Sequence, residues 1–280
     1  MIKTVFGAIG SSFRSLFRFW RALIVFLLLY TAMLGALYLF FAGRETSTAQ
    51  LLLNVLLALA VPVLFFILQT MAVRFTATPG HAKTLTLGGL RDFWKLLLIS
   101  LPMIAVVGLL VYLLAQIKVG PEQTAVIPPP PRTAVARAAP PLQWQSVAIA
   151  SIQYLLLCLV LPLSLIHLWI ATARDGLKAA IKGIVRSLGR ALSPSSVLIY
   201  VIGFVFFAIL PYFLLFSRTP ASATWLDIGL LSGRLLLAVL LSLVAWTVTL
   251  GALTQLTPNE MSETGSVRSE AGTEHVAVGS

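Results

Sequence analysis

Hydrophobic positions along this chain follow two patterns: long, uninterrupted apolar runs, and shorter segments in which apolar and basic residues share helical spacing. Six charge-free runs are long enough to cross the roughly 30 Å hydrocarbon layer of a bilayer as helices. They comprise residues 22–42, 51–73, 96–117, 147–173, 197–216 and 235–256. The pattern predicts an all-α, polytopic membrane protein with six transmembrane helices.

The segment 174–192, RDGLKAAIKGIVRSLGRAL, lies between two of these runs and carries a base at every fourth position. Its bases are Arg174, Lys178, Lys182, Arg186 and Arg190. Leu, Ile, Val and Ala fill the other side at helical spacing. Such a helix would bury five charges if it crossed the membrane, and would expose its apolar stripe if it lay in solvent. We therefore predict a surface-lying amphipathic helix, termed an elbow, whose bases contact anionic headgroups.

Two further elbows occur earlier in the chain. Residues 2–21 combine apolar residues at helical spacing with bases, of which Arg14, Arg18 and Arg21 are predicted headgroup contacts. The run 22–42 that follows would be about 31 Å long as a helix, which is too long for the core of a cleaved signal peptide. It is therefore predicted as the first transmembrane helix, and a second elbow begins near residue 83.

Composition and charge support a membrane location. The chain is 59% hydrophobic and 10% charged, with a mean hydropathy of +0.96. The net charge of +11 does not indicate a nucleic-acid-binding protein, because the bases lie beside apolar spans. Segments on the side of the termini carry 14 Lys and Arg residues, against 6 in the alternate segments. This asymmetry predicts cytoplasmic termini in a cell membrane, which we expect to be a bacterial inner membrane.

Two segments outside the spans have distinctive compositions. Residues 118–145 are rich in proline and lack apolar periodicity, which predicts an extended extracytoplasmic loop. An inert spacer is favoured over a proline-rich ligand for a partner. Residues 258–280 are polar and acidic, and are predicted to form a disordered cytoplasmic tail.

Parts of the chain recur at fixed offsets. Elbow 1 and span 1 resemble elbow 2 and span 3 seventy-four residues later. Span 2 resembles span 4 at an offset of one hundred, which aligns Pro62 with Pro162 and Arg74 with Arg174. The sequence LLLNVLLAL at 51–59 also resembles LLLAVLLSL at 235–243. We predict a membrane domain, 1–257, of three tandem units at about 2–74, 83–173 and 174–257. Each would contain an elbow and a helical hairpin, related by a parallel rotation.

The third elbow also resembles a known family. The run from Arg174 through Asp175, Gly176, Ala180, Ser187 and Arg190, followed by a long apolar span, is similar to the signature of the membrane domain associated with glycerophosphodiester phosphodiesterases. Related six-span integral membrane domains of unknown function carry similar helices. The resemblance implies a six-helix bundle with amphipathic elbows and a link to lipids. No phosphodiesterase catalytic domain accompanies it in this sequence, so no hydrolytic role is carried over.

A few polar or helix-breaking residues within or beside the spans are candidate functional positions. Pro62 and Pro162 are predicted to kink their helices, either shaping a cavity or serving packing. His167 lies near the cytoplasmic end of span 4, and a hydrogen-bonded structural role is favoured over a proton relay because no span centre contains Asp or Glu. Arg234 either binds a headgroup or, as we favour, extends its side chain to the outer membrane boundary. Cys158 is expected to behave as a small hydrophobe.

The sequence lacks the residue clusters on which common catalysts depend. It contains no recognisable nucleophile with its base, no paired carboxylates, no phosphate-binding loop and no metal-ligand cluster. We therefore expect no enzymatic activity, metal or cofactor. The favoured function is a non-catalytic, lipid-associated scaffold or accessory component, with anionic lipids and a further membrane protein as candidate partners. The alternative is a passive or partner-driven transporter of a lipid or other apolar solute.

Overall fold

The computed structural model describes residues 2–43, 47–77, 82–117, 144–217 and 224–256. These residues are helical almost throughout and contain no β-strand. Six of their helical segments are long and apolar enough to cross a membrane: Trp20–Ala42, Thr48–Ala77, Lys83–Gln116, Val147–Asp175, Pro194–Phe216 and Trp225–Leu256. The predicted all-α fold with six transmembrane helices is therefore confirmed.

The described residues form eleven α-helices. They are, in chain order, α1 (Ile2–Arg18), α2 (Trp20–Ala42), α3 (Thr48–Ala77), α4 (Ala82–Gln116), α5 (Trp144–Leu155), α6 (Leu161–Asp175), α7 (Leu177–Lys182), α8 (Ile184–Ala191), α9 (Pro194–Phe204), α10 (Leu210–Phe216) and α11 (Thr224–Leu256). Single π-helical turns join α5 to α6 and α9 to α10. Span 4 is therefore α5 with α6, span 5 is α9 with α10, and the other spans are α2, α3, α4 and α11.

The predicted loop and tail fall mostly outside the described residues. This applies to 118–143 of the loop and to the whole segment 258–280. Trp144 and Gln145, which were assigned to the loop, instead form the first residues of α5. The predicted loop therefore extends too far, because these two residues continue directly into the apolar helix of span 4.

The elbows differ from the prediction in their continuity. α1 is a separate helix, and its boundary with α2 falls at Phe19, whose ring packs edge-on against Phe75 of α3 at 6.0 Å between centroids. The second elbow has no boundary and is the first part of α4. The third elbow is not one helix: it starts after Gly176, which has a φ of +83°, and is divided into α7 and α8 at Gly183. A positive φ is a conformation that glycine adopts without steric cost, so Gly176 allows the turn out of span 4.

The hydrophobic core lies between spans 4 and 6 and the helices around them. Within the most apolar 18-residue stretch of each span, 50% of the residues are buried in Val147–Asp175 and 44% in Trp225–Leu256. Only 6% are buried in Trp20–Ala42. Within α6, every residue from 163 to 170 is buried. Span 4 is therefore central, whereas few residues of span 1 are buried. Trp169 Nε1 donates to Ser100 Oγ of α4 at 2.8 Å, which joins spans 3 and 4 within this core.

Two proline residues follow the π-helical turns and show the same hydrogen-bonding arrangement. Pro162 has no N–H for the carbonyl four residues earlier, and that carbonyl, of Cys158, accepts a hydrogen bond from Tyr200 Oη at 2.9 Å. Likewise, the carbonyl four residues before Pro211 belongs to Phe207 and accepts from Ser242 Oγ at 3.0 Å. A hydroxyl group from the next span thus satisfies each carbonyl.

Pro62 and Pro162, the two predicted kink sites, differ in the helical structure around them. Pro62 lies inside α3, which continues as an α-helix through it, whereas Pro162 follows the π-helical turn Leu156–Val160. Pro162 thus has Pro211 as its local counterpart. The predicted equivalence of Pro62 and Pro162 in superposed units stays a prediction.

Candidate functional site

The elbows and the ends of several spans meet at one end of the bundle. Thr254, near the end of α11, accepts a hydrogen bond on its carbonyl from Arg174 Nη2 at 2.5 Å, and its hydroxyl oxygen lies 3.1 Å from that of Thr76. The neighbouring Gln255 donates to Ser12 Oγ of α1 at 3.1 Å. These contacts hold α1 and the ends of α3, α6 and α11 together. Except for Arg234, every described Lys and Arg lies on an elbow or at a span end beside one. This region is termed the cationic end.

α1 presents three different faces. The first face is buried and consists of Val5, Ala8, Ser12 and Leu16. It packs on α11, where Ser12 lies so close to Gly251 that an added Cβ there would be 2.8 Å from Ser12 Oγ. The second face is apolar and exposed, and consists of Ile2, Phe6, Phe13 and Phe17. The third face is exposed and carries the bases Lys3, Arg14 and Arg18. The single apolar stripe expected from the sequence is therefore split between protein and surroundings.

The same three faces recur at the third elbow. Ala180, Ser187 and Ala191 are buried against the bundle, whereas Ile181 and Val185 are 53% and 79% exposed. The bases Lys178, Lys182 and Arg186 are exposed beside them, and Arg190 is half-buried. Arg174 is half-buried as well, and its Nη2 donates to the Thr254 carbonyl. Arg21, beyond the end of α1, is exposed and lies 5.9 Å from the Trp20 ring centroid.

A short pattern along the chain encodes these faces. In each copy, the first of three consecutive residues is buried or half-buried, the second is exposed and apolar, and the third is basic. The pattern recurs four residues later in the same elbow. Its copies are Ser12-Phe13-Arg14, Leu16-Phe17-Arg18, Gly89-Leu90-Arg91, Phe93-Trp94-Lys95, Ala180-Ile181-Lys182 and Ile184-Val185-Arg186. Because each residue advances by about 100° around a helix, all copies order the three faces in the same rotational sense. The elbow triplets, as they are termed below, occur in all three elbows.

An ion cluster at the second elbow contains the acid that the sequence analysis missed. Asp92, whose side chain is only 13% exposed, accepts from Arg74 at 2.7 Å and from Lys95 at 2.6 Å. It joins the end of span 2 to the start of span 3. A sequence signal exists, since Arg91-Asp92 and Arg174-Asp175 are each followed by a Lys three residues after the Asp.

His167 is buried within the protein. It is 4% exposed, Ser164 one turn away is 1% exposed, and neither His167 Nε2 nor Ser164 Oγ has a hydrogen-bond partner among the described residues. The favoured hydrogen-bonded role of His167 therefore stays a prediction. An unsatisfied buried polar atom reduces stability, and hydropathy alone does not reveal it.

Arg234 lies apart from the cationic end. Its Nη1 donates to the Ser217 carbonyl at 2.6 Å, directly after the last residue of α10. The last carbonyls of a helix lack partners within the helix, and the helix dipole favours a positive charge there. Arg234 therefore stabilises the end of α10 at the opposite end of the bundle.

An apolar groove of about 300 Å³ opens beside the cationic end. α1 contributes Ile9 and Phe13 to its wall, and spans 5 and 6 contribute the remainder, including Gly203 and Ala245. No single segment of the sequence predicts this groove, because three elements distant in the chain form it. No group of three His, Cys, Asp or Glu residues suited to a metal ion occurs in the described ranges.

The fold and the cationic end together define a multi-pass helical membrane protein with amphipathic elbow helices. Comparison with protein-family models, with characterised proteins and with solved structures finds no match to this chain. The family resemblance of the third elbow consequently stays a prediction.

Proposed function

We propose that this protein is a non-catalytic scaffold that holds anionic lipid against the elbows at the cationic end. The observation that carries the proposal is the elbow triplet, in which an exposed apolar residue is followed directly by a base. The apolar residues would enter the acyl region, and the bases would lie at the level of the phosphates. A structural role for lipid is consistent with the link that the family resemblance implies.

The two kinds of residue would contribute differently. Fully burying a side chain such as Phe or Ile is favourable by about 1.5–3 kcal/mol, so Phe13, Phe17, Ile181 and Val185 would hold their helices on the membrane. A base near an anionic leaflet contributes about 1 kcal/mol. The apolar residues would therefore determine docking, and the bases would determine which headgroup is retained.

The proposed orientation places the cationic end and both termini in the cytoplasm of a bacterial cell. It rests on the excess of Lys and Arg in the segments on that side. The three tandem units are proposed with it, because the elbow triplets occur in all three elbows. Labelling of a tag at residue 133 from outside intact cells, with a C-terminal tag protected, is the expected result. The reverse pattern contradicts the orientation.

The lipid proposal is tested by reversing charge on the third elbow. The variant Lys178→Glu/Lys182→Glu/Arg186→Glu should lose co-purified anionic lipid, as counted by native mass spectrometry, and should expose 174–192 to protease. The matched control, Lys178→Arg/Lys182→Arg/Arg186→Lys, keeps the charges and should retain the lipid. Retention of lipid and protection by the reversed variant would refute the proposal. If deletion of 258–280 then exposes the elbow, the acidic tail is the occupant of this surface.

A second candidate is a passive or partner-driven transporter of a lipid or other apolar solute. The groove beside the π-helical turn of span 5 favours it, because a lipid could enter from the bilayer. Movement of fluorescent phospholipid between leaflets of vesicles containing the purified protein would support this function. Rates equal to those of protein-free vesicles would leave the scaffold as the better proposal.

A further inference from the structure

The groove beside the cationic end has a constricted apolar floor. An added Cβ at Gly203 of α9 would overlap the Thr249 side chain of α11, which shows how closely spans 5 and 6 approach here. Ala245, one turn from Thr249 on α11, adds little volume to the floor. Small residues at such a crossing bring the backbones together and leave a furrow between larger neighbours. The furrow is thus built into the packing of the two spans.

The dimensions of the groove match a lipid chain within one leaflet. On α11 it extends from Leu241 to Thr249, about 12 Å at helical rise. The hydrocarbon layer is roughly 30 Å thick, so one leaflet supplies chains that extend about 15 Å. Thr249 lies two residues from Gly251, which contacts α1. The groove therefore starts beneath the elbow and runs towards the middle of the membrane.

The helix α1, which forms one wall of the groove, also carries positive charge. Phe13 lines the groove, and Arg14, the base of the same elbow triplet, follows it directly on the exposed basic face. Arg18 lies one turn further along that face. A lining residue of the apolar groove and an exposed base are thus consecutive residues of one helix. That combination is complementary to an anionic lipid, which carries its phosphate and its chain in the same order.

We infer that the groove between α1, α9 and α11 binds one acyl chain of an anionic glycerophospholipid, with its phosphate at Arg14 and Arg18. The inference rests on the proposed function and specifies where one lipid is held. Phosphatidylcholine also carries a phosphate, but its choline cation offsets the attraction to the two Arg side chains, so a lipid with a net negative charge should be held more strongly. The site is therefore expected to select by headgroup and to retain its lipid during purification.

The test compares two Trp substitutions at Ala positions in spans. Ala245→Trp fills the groove, whereas Ala105→Trp changes an exposed Ala of span 3 outside it. Proteins purified from vesicles of equal phosphatidylglycerol and phosphatidylcholine are analysed by native mass spectrometry. We expect Ala245→Trp to retain phosphatidylglycerol about tenfold more weakly, with Ala105→Trp unchanged. Arg14→Gln/Arg18→Gln should abolish the preference for phosphatidylglycerol.

The unmodified protein provides a measurement that does not depend on folding of a variant. Phosphatidylglycerol with a photoreactive group on its acyl chain should label peptides of 199–206 and 241–249 more strongly than labelled phosphatidylcholine does. Equal labelling by the two lipids, or full retention by Ala245→Trp, overturns the groove inference. If the groove inference fails but the triple charge reversal on the third elbow loses lipid, the scaffold proposal still holds. If every variant retains lipid, both are wrong.

Discussion

The hydroxyl group of Tyr200 offers the sharpest test of how span 4 is held. Its oxygen lies 2.9 Å from the carbonyl oxygen of Cys158, and the residue is 3% exposed. Pro162, four residues after Cys158, has no N–H to donate to that carbonyl. Tyr200→Phe removes the hydroxyl group and keeps the ring that packs on Phe204 and Phe207. We expect a loss of stability without a change of fold.

The magnitude follows from the environment of the carbonyl. A net hydrogen bond contributes about 0.5–1.5 kcal/mol, and leaving a buried acceptor unsatisfied costs about 1–3 kcal/mol. Interhelical hydrogen bonds in membranes average about 0.6 kcal/mol and reach about 1.7. Tyr200→Phe should therefore lower the free energy of unfolding by about 1–2 kcal/mol. The exposed Tyr212 supplies the control, since Tyr212→Phe should change it by less than about 0.5 kcal/mol.

Unfolding in mixed micelles with increasing sodium dodecyl sulfate measures these differences, and a double-mutant cycle identifies the cause. Pro162→Ala restores an N–H near the Cys158 carbonyl, so Tyr200→Phe should cost less in that background. An equal cost in both backgrounds would refute the reasoning, because the hydroxyl group would then contribute independently of the proline.

Two further variants probe polar side chains within the bundle in the same assay. Asp92→Asn should lower the free energy of unfolding by about 2 kcal/mol. This is less than for a fully buried ion pair, because Arg74 and Lys95 are each more than a third exposed. Asp175→Asn, at an exposed residue, is the control, and an equal loss in the two variants would contradict the prediction. His167→Leu should leave stability unchanged or raise it by up to about 1 kcal/mol, since its Nε2 has no partner in the described part of the chain. A clear loss of stability would contradict this expectation.

The six spans and the bases of the elbows were predictable because both depend on local sequence. A helix satisfies its own backbone hydrogen bonds, so a charge-free run of sufficient length specifies a span without reference to its neighbours. The bases at every fourth residue likewise predict one charged face of a helix. The same local information was insufficient at Gly176 and Gly183, where the third elbow turns out of span 4 and then divides.

The elbow faces and the groove depend on which residues meet across the fold. Phe13 and Leu16 are both apolar, yet Leu16 is buried in a cluster with residues of α2, α3 and α11, whereas Phe13 stays half-exposed and lines the groove. Hydropathy assigns the two residues to one stripe, whereas the tertiary contacts separate them.

The sequence by itself determined that this is a six-span, all-α membrane protein with basic amphipathic segments between spans. The tertiary structure decided the partners of Asp92, the hydrogen bond from Tyr200 and the burial of His167. The reason is that apolar length and charge spacing act within one helix. The hydrogen-bonding and burial of a polar atom depend instead on neighbours that are distant in the chain.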